Sequence, residues 1–276
     1  MRYGFALCAL HFEILFHYIF SQSIIQLMFK EIKKLHKQGY KNIVGLDEAG
    51  RGPLAGPVVA CATKLKIQKS KLKATAKSLK LFRTIKDSKK LSEKQREKWH
   101  EILIKHPNIK WGVGIVSEKI IDRINILEAT KLAMRRAVEK LNSKLKLEIL
   151  ERTSLRYSVN LYEIDFLIID GNFVLDKTDW SSKRKFAQKS ADFRPLFQQK
   201  ATIKADEKIF LCAAASIIAK VTRDKIMQKM HKKYPQYGFN RHKGYGTKEH
   251  LQALKKYGPC KIHRNSFGSV KQIINN

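Results

Sequence analysis

The stretch GLDEAGRGPLAG, Gly45 to Gly56, sets two acids side by side, Asp47 and Glu48, ahead of a Gly-Arg-Gly turn and a second Gly-Pro turn. The run that leads into it, KNIVGLDE (Lys41–Glu48), is short, apolar and closed by glycine, which predicts a buried strand with the acids at its tip. Neighbours on a regular strand point to opposite faces. Asp47 and Glu48 therefore share one site only where the strand ends or bulges, and Gly50 supplies such an end.

Working outward, PVVACATKL (57–65) reads as a second strand begun by Pro57. Ser92 and Gln95 form a capping-box pair that predicts a helix over 92–105, because such a pair satisfies N–H groups a helix start leaves open. IKWGVGIVS (109–117) alternates Ile109, Trp111, Val113 and Ile115, the period of a half-buried strand. Residues 125–141 carry Ile126, Ala129, Leu132, Ala133 and Ala137 at helical spacing. IDFLIIDG (164–171) is another apolar strand, ending at Asp170, and ATIKAD (201–206) is read as a short strand ending at Asp206. A long alanine-rich helix follows from Glu207 to Lys233, stopped by Pro235, and a short one from Thr247 closes at Gly258. Strands and helices alternate along one chain, which predicts an α/β domain on a central sheet with active residues at strand ends.

Charge narrows the partners. Among 276 residues, 56 Lys and Arg face 24 Asp and Glu, a net charge of +32. Phosphate neutralisation and counterion release make a polyanion the natural partner of such a chain. The four cysteines, Cys8, Cys61, Cys212 and Cys260, are far apart and without histidines at ligand spacing, which argues against a disulfide framework or a zinc site and for a reduced, cytoplasmic protein. Residues 1–27 are rich in Phe, Ile and Leu, yet His11, Glu13 and His17 interrupt them, so no uncharged span of membrane length exists there. The favoured reading is a start misassigned ahead of Met28, followed by an amphipathic appendage; no membrane partner is expected.

Against this basic background, Asp47, Glu48, Asp170 and Asp206 form a distinct set. A single acid at a strand end is often a cap or a turn former. Several gathered together repel one another and stay ionised only beside cations, and all-oxygen ligands suit Mg²⁺ or Mn²⁺. Two such ions can drive phosphodiester hydrolysis.

GLDEAGRGPLAGPVV resembles the signature of ribonuclease HII, a type 2 ribonuclease H. So do DSKKLS (87–92), IIDGN (168–172), AAASIIAKVTRD (213–224), YPQYGFNRHKGYGT (234–247) and HRNSFGSVK (263–271), in the family's order. The resemblance implies a ribonuclease H-like mixed sheet flanked by helices, with a C-terminal helical extension. It implies a metal-dependent endonuclease that hydrolyses RNA in RNA–DNA hybrids and cuts 5′ of ribonucleotides embedded in DNA, leaving 5′-phosphate and 3′-hydroxyl ends, in replication and repair. Asp47, Glu48 and Asp170 match the family's metal ligands. Asp206 matches the fourth, with Asp224 as competitor, although the family usually has a glycine before that acid. Gly50, Arg51 and Gly52 match the segment that reads the 2′-hydroxyl, and Tyr245 the ring that packs on the next deoxyribose. Lys89, Ser216, Lys220 and Arg223 are candidates for phosphate contacts.

The expected organisation is a catalytic domain over 28–276, monomeric, interrupted by basic insertions at about 66–80, 142–160 and 173–200. The third widens the spacing between Asp170 and Asp206. Alternatives are ribonuclease HIII, for which the segment before residue 40 is too short to hold the extra domain, and a basic nucleic-acid-binding protein without catalysis, which gives the four acids no role.

Overall fold

The computed structural model describes residues 28–66, 91–153, 164–175 and 197–275. Most of the first and third insertions, the end of the second, Lys89 and residues 1–27 lie outside the described residues. The elements in chain order are helix α1 (28–37), strands β1 (Ile43–Ala49) and β2 (Val58–Leu65), helix α2 (Glu93–Lys105), strand β3 (Ile109–Val116), helix α3 (Glu118–Thr153), and strands β4 (Phe166–Asp170) and β5 (Gln198–Thr202). There follow α4 (Ala205–Lys208), α5 (Phe210–Lys233), a 3₁₀ turn at Pro235–Tyr237, α6 (Phe239–His242), α7 (Lys248–Tyr257) and α8 (Gly268–Asn275).

The sheet order is β3-β2-β1-β4-β5. The first three strands run antiparallel, and β4 and β5 run parallel to β1, so the sheet is mixed as expected. Residues 43 and 45 of β1 face α5, and residues 44 and 46 face α3: Ile43 packs with Phe210, Leu211 and Ile218, whereas Val44 and Leu46 pack with Met134, Ala137 and Leu141. Helices α1 and α2 complete the α5 side through Met28, Ile32, Trp99 and Leu103. A third apolar cluster joins the C-terminal helices to the loop after β1, through Leu54, Met227, Phe239, Leu254 and Val270.

The helix starts follow from local chemistry. Ser92 and Gln95 make the reciprocal capping box, with Gln95 N–H donating to Ser92 Oγ at 3.3 Å and Ser92 N–H to Gln95 Oε1 at 2.9 Å. Asn125, at φ 64°, breaks α3 near its start and caps the part beyond, accepting from the N–H groups of Leu127 and Glu128.

Three sequence expectations shift. The helical spacing ends at Leu141 and a basic insertion is expected from Asn142, yet α3 continues to Thr153. Asn142 and Ser143 are indifferent helix formers, but Leu141 and Leu145 stand one turn apart on the buried face, and Glu148 ties the next turn to Lys66 and Lys110. The strand sought at 201–206 lies at 198–202, and Asp206 sits in the one-turn helix α4 instead of at the strand tip. On β3, the tightest packing is on the glycine face. A Cβ at Gly114 would collide with the Ala133 carbonyl and lie 2.7 Å from Ala137 N, and one at Gly112 would lie 2.5 Å from Leu141 N. The glycines are what let α3 lie against the sheet.

Overpacking there predicts the cost of a methyl group. Gly114→Ala should lower unfolding free energy by about 1–3 kcal/mol in urea titrations. Gly268→Ala, where an added Cβ meets nothing within 4 Å, should change it little.

Candidate active site

β1 and β4 are parallel and end at the same edge of the sheet, so Asp47 and Asp170 emerge side by side. Asp47 continues the Ile43 and Gly45 face toward α5, where the Ser216 hydroxyl hydrogen-bonds to it. It is 6% exposed, and its Oδ1 accepts from the Glu48 N–H at 2.7 Å. Asp170 Oδ1 accepts from the Ala205 N–H at 2.9 Å, which ties β4 to the turn carrying Asp206. Carboxylate oxygens of Asp47, Asp170 and Asp206 all lie within 4.8 Å of one another.

Glu48 stands apart from these three. β1 pairs with β2 in unbroken register through Ala49↔Val59, so no bulge turns Glu48 to the Asp47 face. Its Oε1 meets Arg51 Nη1 at 3.4 Å, and its Oε2 is buried without a hydrogen-bond partner among the described residues. Asp170 is near enough to raise its pKa. Asp224 joins neither group; its carboxylate pairs with Lys220 at 2.7 Å, one helical turn away on α5. Of the two acids competing in sequence, Asp206 is the one in the cluster.

The electrostatics are those of a site built for cations. Burial pushes the Asp47 carboxyl well above its ordinary range, and the charges of Glu48 and Asp170 push it further; the Ser216 hydrogen bond works the other way, and Asp206 adds a last upward push. Burial also lifts Glu48 to about 7, against the pull of Arg51. Hard oxygen donors, mutual repulsion and a buried Glu48 oxygen with no partner fit a divalent metal of the Mg²⁺ or Mn²⁺ type. The residues able to hold it are Asp47, Asp170 and Asp206, with Glu48 alongside.

The Gly-Arg-Gly loop lies next to the acids. Gly50 is at φ +96°, and a Cβ there would collide with Arg223 Nε and come within 2.8 Å of the Pro57 carbonyl. Gly52 faces the Tyr245 ring, 3.7 Å from a virtual Cβ to Cε1, and Tyr245 is 43% exposed. The Arg51 guanidinium is half-exposed and stands 5.7 Å from the centre of the Phe173 ring.

Arg223 departs from its expected phosphate contact. It is fully buried, and its guanidinium donates to the carbonyls of Pro57, Lys243 and Ala55, each at 3.0 Å. All three nitrogens are engaged by the protein, so it shapes the loop from beneath and lies under Tyr245, 5.9 Å from the ring centre. Its spacing carries the signal: Arg223 is four residues from both Ala219 and Met227, on the buried stripe of α5. Arg264, to which no role was assigned from sequence, does the same work, donating to the carbonyls of Gly50, Arg51 and Gly56. Ser216 lies against Asp47, and Lys220 is held by Asp224 with part of its surface open.

A family model described as ribonuclease HII matches residues 44–270. A ribonuclease HII of Chlamydia muridarum is 45% identical over 238 residues, 86% of this chain and 87% of that protein. The crystal structure of ribonuclease H2 from Pyrococcus horikoshii OT3 is 30% identical with a TM-score of 0.55, covering 85% of this chain and 97% of the other. The RNase HII in a PCNA:RNase HII complex from Archaeoglobus fulgidus is 26% identical, TM-score 0.52, with 84% and 96% covered. Sheet order, flanking helices and clustered acids together define a nuclease of the ribonuclease H-like class. Within that class the chain belongs to the ribonuclease HII family, metal-dependent hydrolases that act as endoribonucleases.

The acid cluster predicts a trade between charge and stability. A raised carboxylate pKa favours folding at low pH and loses that contribution as pH rises through the folded value, for Glu48 about 7. In chelator at pH 8, Asp47→Asn should therefore raise the melting temperature by on the order of 2–4 °C, the shift that one kcal/mol makes in a domain of this size. The gain should shrink as pH falls and the Asp47 carboxyl takes up its proton, and Mn²⁺ should stabilise the variant less than the parent.

Proposed function

We propose that this chain hydrolyses the RNA strand of RNA–DNA hybrids and cuts on the 5′ side of ribonucleotides embedded in duplex DNA, leaving 5′-phosphate and 3′-hydroxyl ends. The observation that carries the reading is the meeting of Asp47, Asp170 and Asp206 oxygens within 4.8 Å on a chain of net charge +32. An acid cluster on a basic polyanion-binding surface serves cleavage, and a protein that only bound nucleic acid would gain nothing from it.

Asp47, Asp170 and Asp206, with Glu48 alongside, would hold divalent ions, which would supply charge neutralisation and Lewis-acid polarisation at a phosphate. The remaining work falls to the chain's own groups. Ser216 holds the Asp47 carboxylate in orientation by its hydrogen bond. The Ala205 N–H does the same for Asp170. Gly50 and Gly52, without side chains, let backbone approach a ribose closely, where the 2′-hydroxyl separates RNA from DNA. Arg51, half-exposed beside Glu48, is available for a charge-assisted contact with phosphate. The Tyr245 ring offers an apolar face to the sugar that follows the ribonucleotide, where a deoxyribose packs without a hydroxyl to bury. Lys220, partly open beside Asp224, adds positive charge, and Lys89 remains the sequence's candidate for a further phosphate contact. Among the described residues no helix is long and apolar enough to cross a membrane. The reading places the enzyme in replication and ribonucleotide removal, as a cytoplasmic monomer with Mg²⁺ or Mn²⁺.

The test is cleavage of duplex DNA carrying one ribonucleotide, with Mg²⁺, Mn²⁺ or chelator. The parent should cut once, 5′ of the ribonucleotide, and chelator should abolish cutting. Asp47→Asn and Asp170→Asn should each lower the rate on the order of 10²-fold or more, by analogy with losing one preorganised electrostatic group. Variants that cut at the parent's rate would remove the proposal that these acids carry the cleavage, and a parent that fails to cut with either metal would leave the non-catalytic binding protein.

A further inference from the structure

Three histidines of the C-terminal region, His242 on α6, His250 on α7 and His263 between α7 and α8, are buried together and do not belong to the acid site: His250 and His263 are almost inaccessible, and His242 is 9% exposed. Their rings pack on Phe239, and His242 stacks on His250 at 4.5 Å between centroids. The hydrogen bonds among them fix every proton. The Cys260 N–H can only donate, and it meets His263 Nδ1 at 2.8 Å, closer than the Cys260 carbonyl at 3.3 Å, so that nitrogen carries a lone pair. A neutral His263 then bears its proton on Nε2, which lies 3.0 Å from His250 Nε2. His250 must accept there, so its own proton is on Nδ1, aimed at the Tyr245 carbonyl 2.9 Å away. The outcome is a one-way chain: Cys260 N–H to His263, His263 to His250, His250 to Tyr245. A second proton on either ring would set two donors against each other or against Cys260. Burial pushes both rings down to about 4, and for His263 the nearby His250 adds to the effect, so both are neutral at neutral pH.

The chain starts from a segment that also governs the Gly-Arg-Gly loop. His263 forms a bridge with Ala55, and the next residue, Arg264, donates from its side chain to Gly50, Arg51 and Gly56 and from its backbone to Leu54. One two-residue segment thus holds the loop with the side chain of Arg264 and the Tyr245 turn with that of His263, through His250. His242 steadies the same turn by accepting from the Gly244 N–H at 3.2 Å.

We infer that His263 and His250 are positioning residues that set the Tyr245 ring against Gly52, and so set the preference for a deoxynucleotide following the ribonucleotide. This rests on the role given to Tyr245 above. Neither histidine touches substrate; they act through the Tyr245 backbone.

The experiment compares kcat/KM on DNA containing one ribonucleotide with kcat/KM on a continuous RNA–DNA hybrid, and reads the ratio of the two. Asn reproduces the Nδ1 end of a histidine and Gln its Nε2 end. His250→Gln, which keeps the reach to His263 and gives up Tyr245, should lower the ratio about tenfold, the worth of one directed hydrogen bond, mainly through KM. His250→Asn, which keeps the donor to Tyr245, should hold it within about threefold. His263→Asn, which still accepts from Cys260 but cannot reach His250, should behave as His250→Gln does and provides the same reading if that variant folds poorly; circular dichroism and melting curves show which variants are folded. Tyr245→Ala separates the two layers of the argument. If Tyr245→Ala lowers the ratio and the folded histidine variants do not, or if His250→Gln and His250→Asn fall alike, the positioning role is overturned and the role of Tyr245 stands. If Tyr245→Ala leaves the ratio unchanged, the reading of Tyr245 fails and the inference fails with it.

Discussion

The close approach of β1 to α5 at Gly45 is the constraint on which the site depends. A Cβ at Gly45 would lie 2.5 Å from Leu211 Cβ and 2.7 Å from the Cys212 nitrogen. No side chain other than hydrogen fits between strand and helix there. Because α5 lies so near, Ser216 reaches Asp47 two residues further along β1. The same contact buries Asp47, and burial is the largest contribution to its raised pKa. Fold and electrostatics are therefore set by one missing methyl group at the centre of the sheet.

Two charge problems of opposite sign are solved by different means a few residues apart. The acids converge on one point and call for cations to offset their repulsion. The guanidiniums of Arg223 and Arg264 are buried without a carboxylate partner among their hydrogen bonds, and backbone carbonyls satisfy them instead. Desolvation lowers both, Arg223 to about 10 and Arg264 to about 9. Each carbonyl so engaged is fixed in direction, which is how a loop containing three glycines and two prolines keeps one shape.

Much of this was legible in the sequence. Apolar runs with turn residues at their ends gave four strands, the capping box at Ser92 gave one helix start, and the apolar spacing from Ile126 to Ala137 gave the body of α3 but not its start at Glu118. The acids stood out because the chain around them is basic, and their convergence needed only the parallel pairing of β1 with β4. What sequence could not supply was direction. Adjacent acids on an unbulged strand separate, which leaves Glu48 on the Arg51 side. Arginine in a basic chain reads as a surface group, although the four-residue spacing of Ala219, Arg223 and Met227 marks Arg223 as inward-facing. No periodic pattern surrounds Arg264, and its role emerged only from the loop it holds. The extent of α3 was masked by Asn142 and Ser143, where tertiary packing of Leu145 outweighs local preference.

The backbone N–H and carbonyl of Leu175 both bond to the side-chain amide of Gln199, at 2.9 and 3.0 Å. β4 and β5 stay in register through Asp170↔Thr202, just before the turn that bears Asp206. Leu175 is thus pinned to β5 just beyond the acids, and the spacing of Asp170 and Asp206 is set across neighbouring strands, independent of their separation along the chain.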